Sequence, residues 1–193
     1  MATWALGGLI LSLGPSLTAN VLGEASHTAG GLPIFILAGV SALASIALRD
    51  AHARATARGG LAALIVGVAV ALAALSVGSI GLFLAGAAIA GLGFGPAFAG
   101  AFRALSNRAP VDQRAALVSS ILAVSYLAFS LPAVAAGAAV TQLGLHETAD
   151  IYGIVLMALA AVALGLSHQL QDPQSEASEL GAVQWTEANP TST

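Results

Sequence analysis

Six long apolar runs, free of charged residues except Asp150 at the start of the last and separated only by short polar or charged stretches, dominate this chain. They lie near Thr3–Leu22, Leu32–Leu48, Gly60–Ser76, Ser79–Phe102, Ala115–Thr141 and Ala149–Ser167. A bilayer core about 30 Å thick needs roughly 20 apolar residues of helix to cross it, so these lengths predict six transmembrane helices. Helix is the form to expect, because in lipid a segment must satisfy its own peptide N–H and C=O groups. Composition excludes the water-soluble alternative. Of 193 residues, 58% are hydrophobic and 8% charged, with a mean hydropathy of +0.90, whereas a soluble domain carries roughly 25% charged residues. The expected fold class is an all-α membrane protein, with a six-helix transmembrane domain over residues 1–167. Residues 168–193, rich in Gln, Ser, Glu, Thr and Pro and without apolar periodicity, are expected to be a disordered polar tail.

The arginines set the expected orientation. Arg49, Arg54 and Arg58 fall between the second and third runs, and Arg103, Arg108 and Arg114 fall around the connection of the fourth to the fifth. Both connections lie on one side of a six-crossing weave, and the positive-inside rule makes that side cytoplasmic. Both termini are then cytoplasmic, in a multi-pass protein of the plasma membrane. Glu24, His27, His146, Glu147 and Asp150 fall on the other side. The loop pair Arg49 and Asp50, with the arginines that follow, reads as a solvated orientation signal in preference to a charge latch between moving helices. Thr18, Ala19 and Asn20 loosely resemble a cleavage site, but MATW has no basic start and five further runs follow. The first run therefore reads as a retained helix. A net charge of −3 without a basic face excludes nucleic acid as a partner. Cysteine is absent, which removes disulfides and thiolate metal sites.

AGLGFGPAFAGAFRALSNRAP, from Ala90 to Pro110, has the glycines of a phosphate loop without its chemistry. After Gly91 and Gly93 the last glycine of a dinucleotide fingerprint is missing. Ala101 and Phe102 stand where a phosphate loop needs Lys and Ser or Thr. The remaining reading is a membrane helix with small residues on successive turns. Gly91 and Gly95 form GxxxG, Gly86, Ala90, Ala97 and Gly100 extend the small surface, and Pro96 is a point of bending or flexing.

No Asp, Glu, Lys, Arg or His occupies the middle of any run, so no proton relay is expected here. The uncharged polar residues are uneven. Ser12, Ser16 and Asn20 share one face of the first helix, which Pro15 interrupts. Ser119, Tyr126, Ser130 and Gly137 share a narrow arc of the fifth, interrupted by Pro132. These two helices are the candidates to line a polar cavity, through Ser12, Ser16, Asn20, Tyr126 and Ser130. Single serines also commonly bond their own helix, which is the competing reading. The third and sixth runs carry almost no hydrogen-bonding side chains and are expected to face lipid. Their spacing, three crossings apart, suggests two three-helix units of the kind found as inverted transporter repeats.

The connecting segments offer little chemistry. Asp112 is placed to cap the fifth helix and Thr148 the sixth. In HETAD the second histidine of HExxH is Asp150, so metal is not expected. No nucleophilic triad or paired carboxylates are in place. Neither enzymatic activity nor a cofactor is expected.

ALGGLILSLGPSLTANVLG, AGLGFGPAFAGAFRALSNRAPVDQRA and SYLAFSLPAVAAGAAVTQLGLHETADIYG together resemble helices seven, ten and eleven to twelve of bacterial major facilitator superfamily permeases, especially efflux-type members. The resemblance runs to about Ser167. It implies the C-terminal six-helix half of a twelve-helix alternating-access carrier, with a small-molecule substrate. The partner would be an N-terminal six-helix half, in the same native chain or in a second one. It places Ser12, Ser16 and Asn20 on helix seven, Gly91 to Pro96 on helix ten, and Tyr126 and Ser130 on helix eleven, all bordering a cavity. The family's Gly-Asp-Arg-Gly loop signature is reduced here to Arg49, Asp50 and scattered arginines. The competing expectations are a non-transporting assembly or regulatory subunit, a nonfunctional remnant, and a homodimeric half-size carrier.

Overall fold

The computed structural model describes residues 2–20, 27–107 and 110–169. Among them are six α-helices and one short 3₁₀ turn, with no strand. The helices are α1 (Ala2–Asn20), α2 (His27–Ala47), α3 (Ala53–Val77), α4 (Ile80–Ser106), α5 (Arg114–Leu143) and α6 (Leu145–Gln169). All six are long and apolar enough to cross a membrane. The described part of the chain is thus an all-helical protein built for a bilayer.

Local chemistry explains the sharp turns. Gly78 ends α3 in the left-handed region at φ 65°, which only glycine adopts without strain. The Ser79 hydroxyl then accepts from the Leu82 N–H at 3.4 Å and opens α4. Gly144, at φ 86°, lies alone between α5 and α6.

Several boundaries differ from expectation. α3 starts at Ala53, well before Gly60, because the Ala- and Arg-rich stretch ahead of the apolar run has good helix propensity. Arg54 and Arg58 therefore lie on its first turns, Arg103 lies in the last turn of α4, and Arg114 begins α5. Arg49 and Asp50 occupy the turn between α2 and α3. Arg108 and Leu22 lie outside the described residues. Asp112 is not the cap of α5: it sits inside the 3₁₀ turn Val111–Gln113 that follows Pro110, and Gln113 holds the cap position without a side-chain bond. Thr148 is not a cap either. The one-residue turn at Gly144 lets α6 begin at Leu145, and the Thr148 hydroxyl donates back to the Gly144 carbonyl at 2.7 Å. His168 and Gln169 close α6 and do not belong to the tail; residues 170–193 lie outside the described ones.

Consecutive triplets do not form separate bundles. α4 packs on α3 and α2, while α1 packs on α5, α6 and α2, and α3 meets α6. The reason lies in side-chain size. A Cβ on Gly67 would strike the Ala90 backbone, one on Gly86 would come within 2.7 Å of Ala71 N, and one on Gly60 within 2.6 Å of Ala97 N. Such close approach gives lipid-embedded helices their dispersion contacts, since no hydrophobic drive separates them from lipid. The neighbours of α4 and α1 nevertheless correspond three places along: α4 packs with α2 and α3 as α1 does with α5 and α6.

The core runs through α1, α3, α4 and α6, with Leu6, Leu17, Leu64, Val68, Phe83 and Leu156 fully buried. α3 and α6 do not face lipid all round. α3 buries Gly60, Leu64, Gly67 and Val68, and α6 buries Tyr152, Leu156 and Ala160. The helix with least burial is α5, where only Ser125 and Ala136 are buried.

Candidate functional site

The C-terminal half of α1 has a buried and an exposed side. Leu6, Leu9, Ile10, Leu13 and Leu17 are buried, while Leu11, Ser12, Pro15, Ser16 and Asn20 are exposed on the opposite side. Tyr126 and Ser130 are exposed on α5, and the Tyr126 ring stands 5.9 Å from that of Trp4 on α1. The two sets of residues named from sequence are thus exposed, on two helices that pack against each other. Pro15 and Pro132 each lie within an uninterrupted helix. Each removes one backbone donor, and Pro132 lines an apolar cavity of about 210 Å³ between α5 and α6.

The hydroxyls on this face are partly committed. Ser12 donates to the Gly8 carbonyl at 2.5 Å, Ser130 to the Tyr126 carbonyl at 2.8 Å, and the Asn20 amide to the Ser16 carbonyl at 3.1 Å. Back-bonding of this kind uses the hydroxyl proton and leaves the oxygen free to accept. The face consequently offers acceptors more than donors.

The glycines of α4 divide into two surfaces. Gly86, Ala90, Gly93, Ala97 and Gly100 lie against α3, whereas Gly91 and Gly95 lie against α2. A Cβ on Gly91 would come within 2.8 Å of the Leu37 carbonyl, and one on Gly95 would strike the Ser41 and Ser45 hydroxyls. Pro96 is fully buried within the unbroken α4. The Gly91 to Pro96 stretch is therefore a packing surface on two sides.

Sequence reasoning named Tyr126 but overlooked Trp4 and the phenylalanines of α4. Trp4 lies 5.6 Å from Phe98 in an edge-on arrangement at 84°, and 6.4 Å from Phe94. Phe98 continues to Phe102 at 6.1 Å. A signal was present: Phe94, Phe98 and Phe102 recur every four residues and so share one face of α4.

Two arginines cap neighbouring helices. Arg103 donates to the Arg49 and Leu48 carbonyls beyond the end of α2. Arg58 donates to the Ser167 hydroxyl at 3.2 Å and to the Ser167 carbonyl near the end of α6. A cation at a helix C-terminus meets the negative end of its dipole and its unpaired carbonyls. Arg103→Ala or Arg58→Ala is expected to cost about 0.5–1 kcal/mol each, read as a lower melting temperature in detergent, with Lys recovering part of the loss. The Arg49–Asp50 pair, 3.3 Å apart and largely exposed, contributes little.

His146 and Asp150 pair at 3.5 Å across one turn of α6. Among the described residues no group of three or more metal-ligating side chains converges. No family model, curated protein or solved structure matches the chain.

Proposed function

We propose that this chain is one six-helix half of an alternating-access carrier of the major facilitator type, moving a small molecule out of the cell across the plasma membrane. One observation carries the reading. The polar residues of α1 and α5 gather on uncovered helix faces, on the side of α1 away from its apolar core. One bundle cannot enclose a cavity with that surface, so a second six-helix half closes it. The interleaved neighbours of α1 and α4 agree with an inverted three-helix repeat, in which half-sites gather near the membrane midplane. In this reading Arg49, Arg54, Arg58, Arg103, Arg108 and Arg114 mark the cytoplasmic side, with both termini on it.

The self-bonded hydroxyls of Ser12 and Ser130 favour a second reading, an assembly subunit that carries no cargo. The chain has no cysteine, so Ser130→Cys introduces a single thiol on the open face. In native membranes, substrates added to the cells are expected to slow its reaction with a water-soluble maleimide by roughly 5-fold or more, as site occupancy rises. A thiol unreactive under every condition, or reactive but never protected, would favour the assembly subunit.

A further inference from the structure

We infer that Trp4, Phe98 and Tyr126 form a binding subsite for an uncharged, planar aromatic molecule that carries a hydrogen-bond acceptor. The inference rests on the carrier reading and names its substrate class. These rings come from α1, α4 and α5, with Trp4 on the first turn of α1 and Tyr126 near the middle of α5. One turn along α1, a Cβ on Gly7 would come within 3.5 Å of the Phe94 ring and 3.6 Å of the Phe129 ring, and Phe94 and Phe129 fall midway along their helices.

Three observations define the ligand. The rings are tilted or edge-on to one another, at 84° for Trp4 and Phe98 and 51° for Trp4 and Tyr126, arrangements that a further aromatic ring can join in the same way. The Trp4 Nε1–H is buried and has no acceptor. An unmatched indole donor in a low-dielectric interior is costly, and an acceptor on the ligand resolves it. Finally, α1 contains no Asp, Glu, Lys, Arg or His, and of these α4 and α5 hold only Arg103 and Arg114, near their ends. With no carboxylate near, a localised cation would lose its hydration for a cation–π contact alone, so the subsite prefers a neutral ligand. Tyr126 is 62% exposed, so apart from its contact with Trp4 little packing resists its swinging aside to admit a guest.

The chain has two tryptophans, so a full-length Trp185→Phe variant reports on Trp4 alone. Coumarin, a neutral planar lactone, is titrated against its emission in nanodiscs, with tetraphenylphosphonium as the cationic comparator. Coumarin is expected to quench saturably. Phe98→Leu should weaken the apparent Kd about 3- to 10-fold, the loss of one aromatic pair, while Phe98→Tyr retains it. Where Phe98→Leu does not fold, Tyr126→Leu at the exposed ring serves instead. Quenching that rises linearly and ignores these substitutions overturns the subsite, as does saturation by tetraphenylphosphonium below coumarin. The Ser130→Cys thiol separates the two levels. Protection there without coumarin binding removes the aromatic subsite and leaves the carrier standing, whereas loss of both removes both.

Discussion

Gly93→Val is expected to drive α3 away from α4 and to destabilise the protein by about 3 kcal/mol or more, the upper end of overpacking costs. For a chain of this size that corresponds to a fall in melting temperature of roughly 6–12 °C. A Cβ at Gly93 would collide with the Gly60 carbonyl and come within 2.5 Å of Leu64 N, and those atoms are backbone. Backbone cannot turn aside as a flexible side chain can, so the two helices must part along their length. Gly67→Val should behave alike, because its Cβ meets the Ala90 backbone. Gly59 and Gly165, with nothing within 4 Å, are the controls: alanine there should be neutral or stabilise by about 0.4–1 kcal/mol. Circular dichroism melts in detergent decide the matter. Equal melting temperatures for Gly93→Val and Gly165→Ala would mean that α3 and α4 are not in this close register.

The second large effect separates lipid-facing from cavity-facing surface. Ile154, exposed near the middle of α6, belongs on the lipid side. Ile154→Lys is expected to cost about 2.5–3.5 kcal/mol in membrane insertion. Ser12→Lys, on the open face of α1, should cost less than half as much, since a hydrated cavity solvates the ammonium group. Glycosylation-tagged insertion assays measure both. Equal penalties would place the Ser12 face against lipid and remove the main support for a carrier.

Much of the architecture was legible because its cause is local. An apolar run of membrane length needs no partner to become helix, so each of the six runs became one. The turn at Gly78–Ser79, between the third and fourth runs, was readable for the same reason. Boundary errors fell where a polar stretch had more than one local solution. The residues before Gly60 could be loop or helix, and their propensity took them into α3; Pro110 inserted a 3₁₀ turn that displaced Asp112 from the cap. The hydroxyl face of α1 was also legible from spacing, since Ser12, Ser16 and Asn20 recur every four residues. What those hydroxyls bond to was not, because back-bonding and cavity lining begin from the same pattern.

The chain's apolar patterning alone determined that it is helical and membrane-sized, for in lipid each helix satisfies its own backbone. Tertiary structure decided which helices touch. Gly91 and Gly95 read as one stripe with Gly86 and Gly100, yet the first pair serves α2 and the second α3. It also decided that α1 joins α5 and α6, that α5 stays uncovered, and that Trp4 meets Phe98 and Tyr126 from two other helices. Such pairings depend on the complementary shape of surfaces far apart in the chain, and no periodicity within one helix records its neighbour.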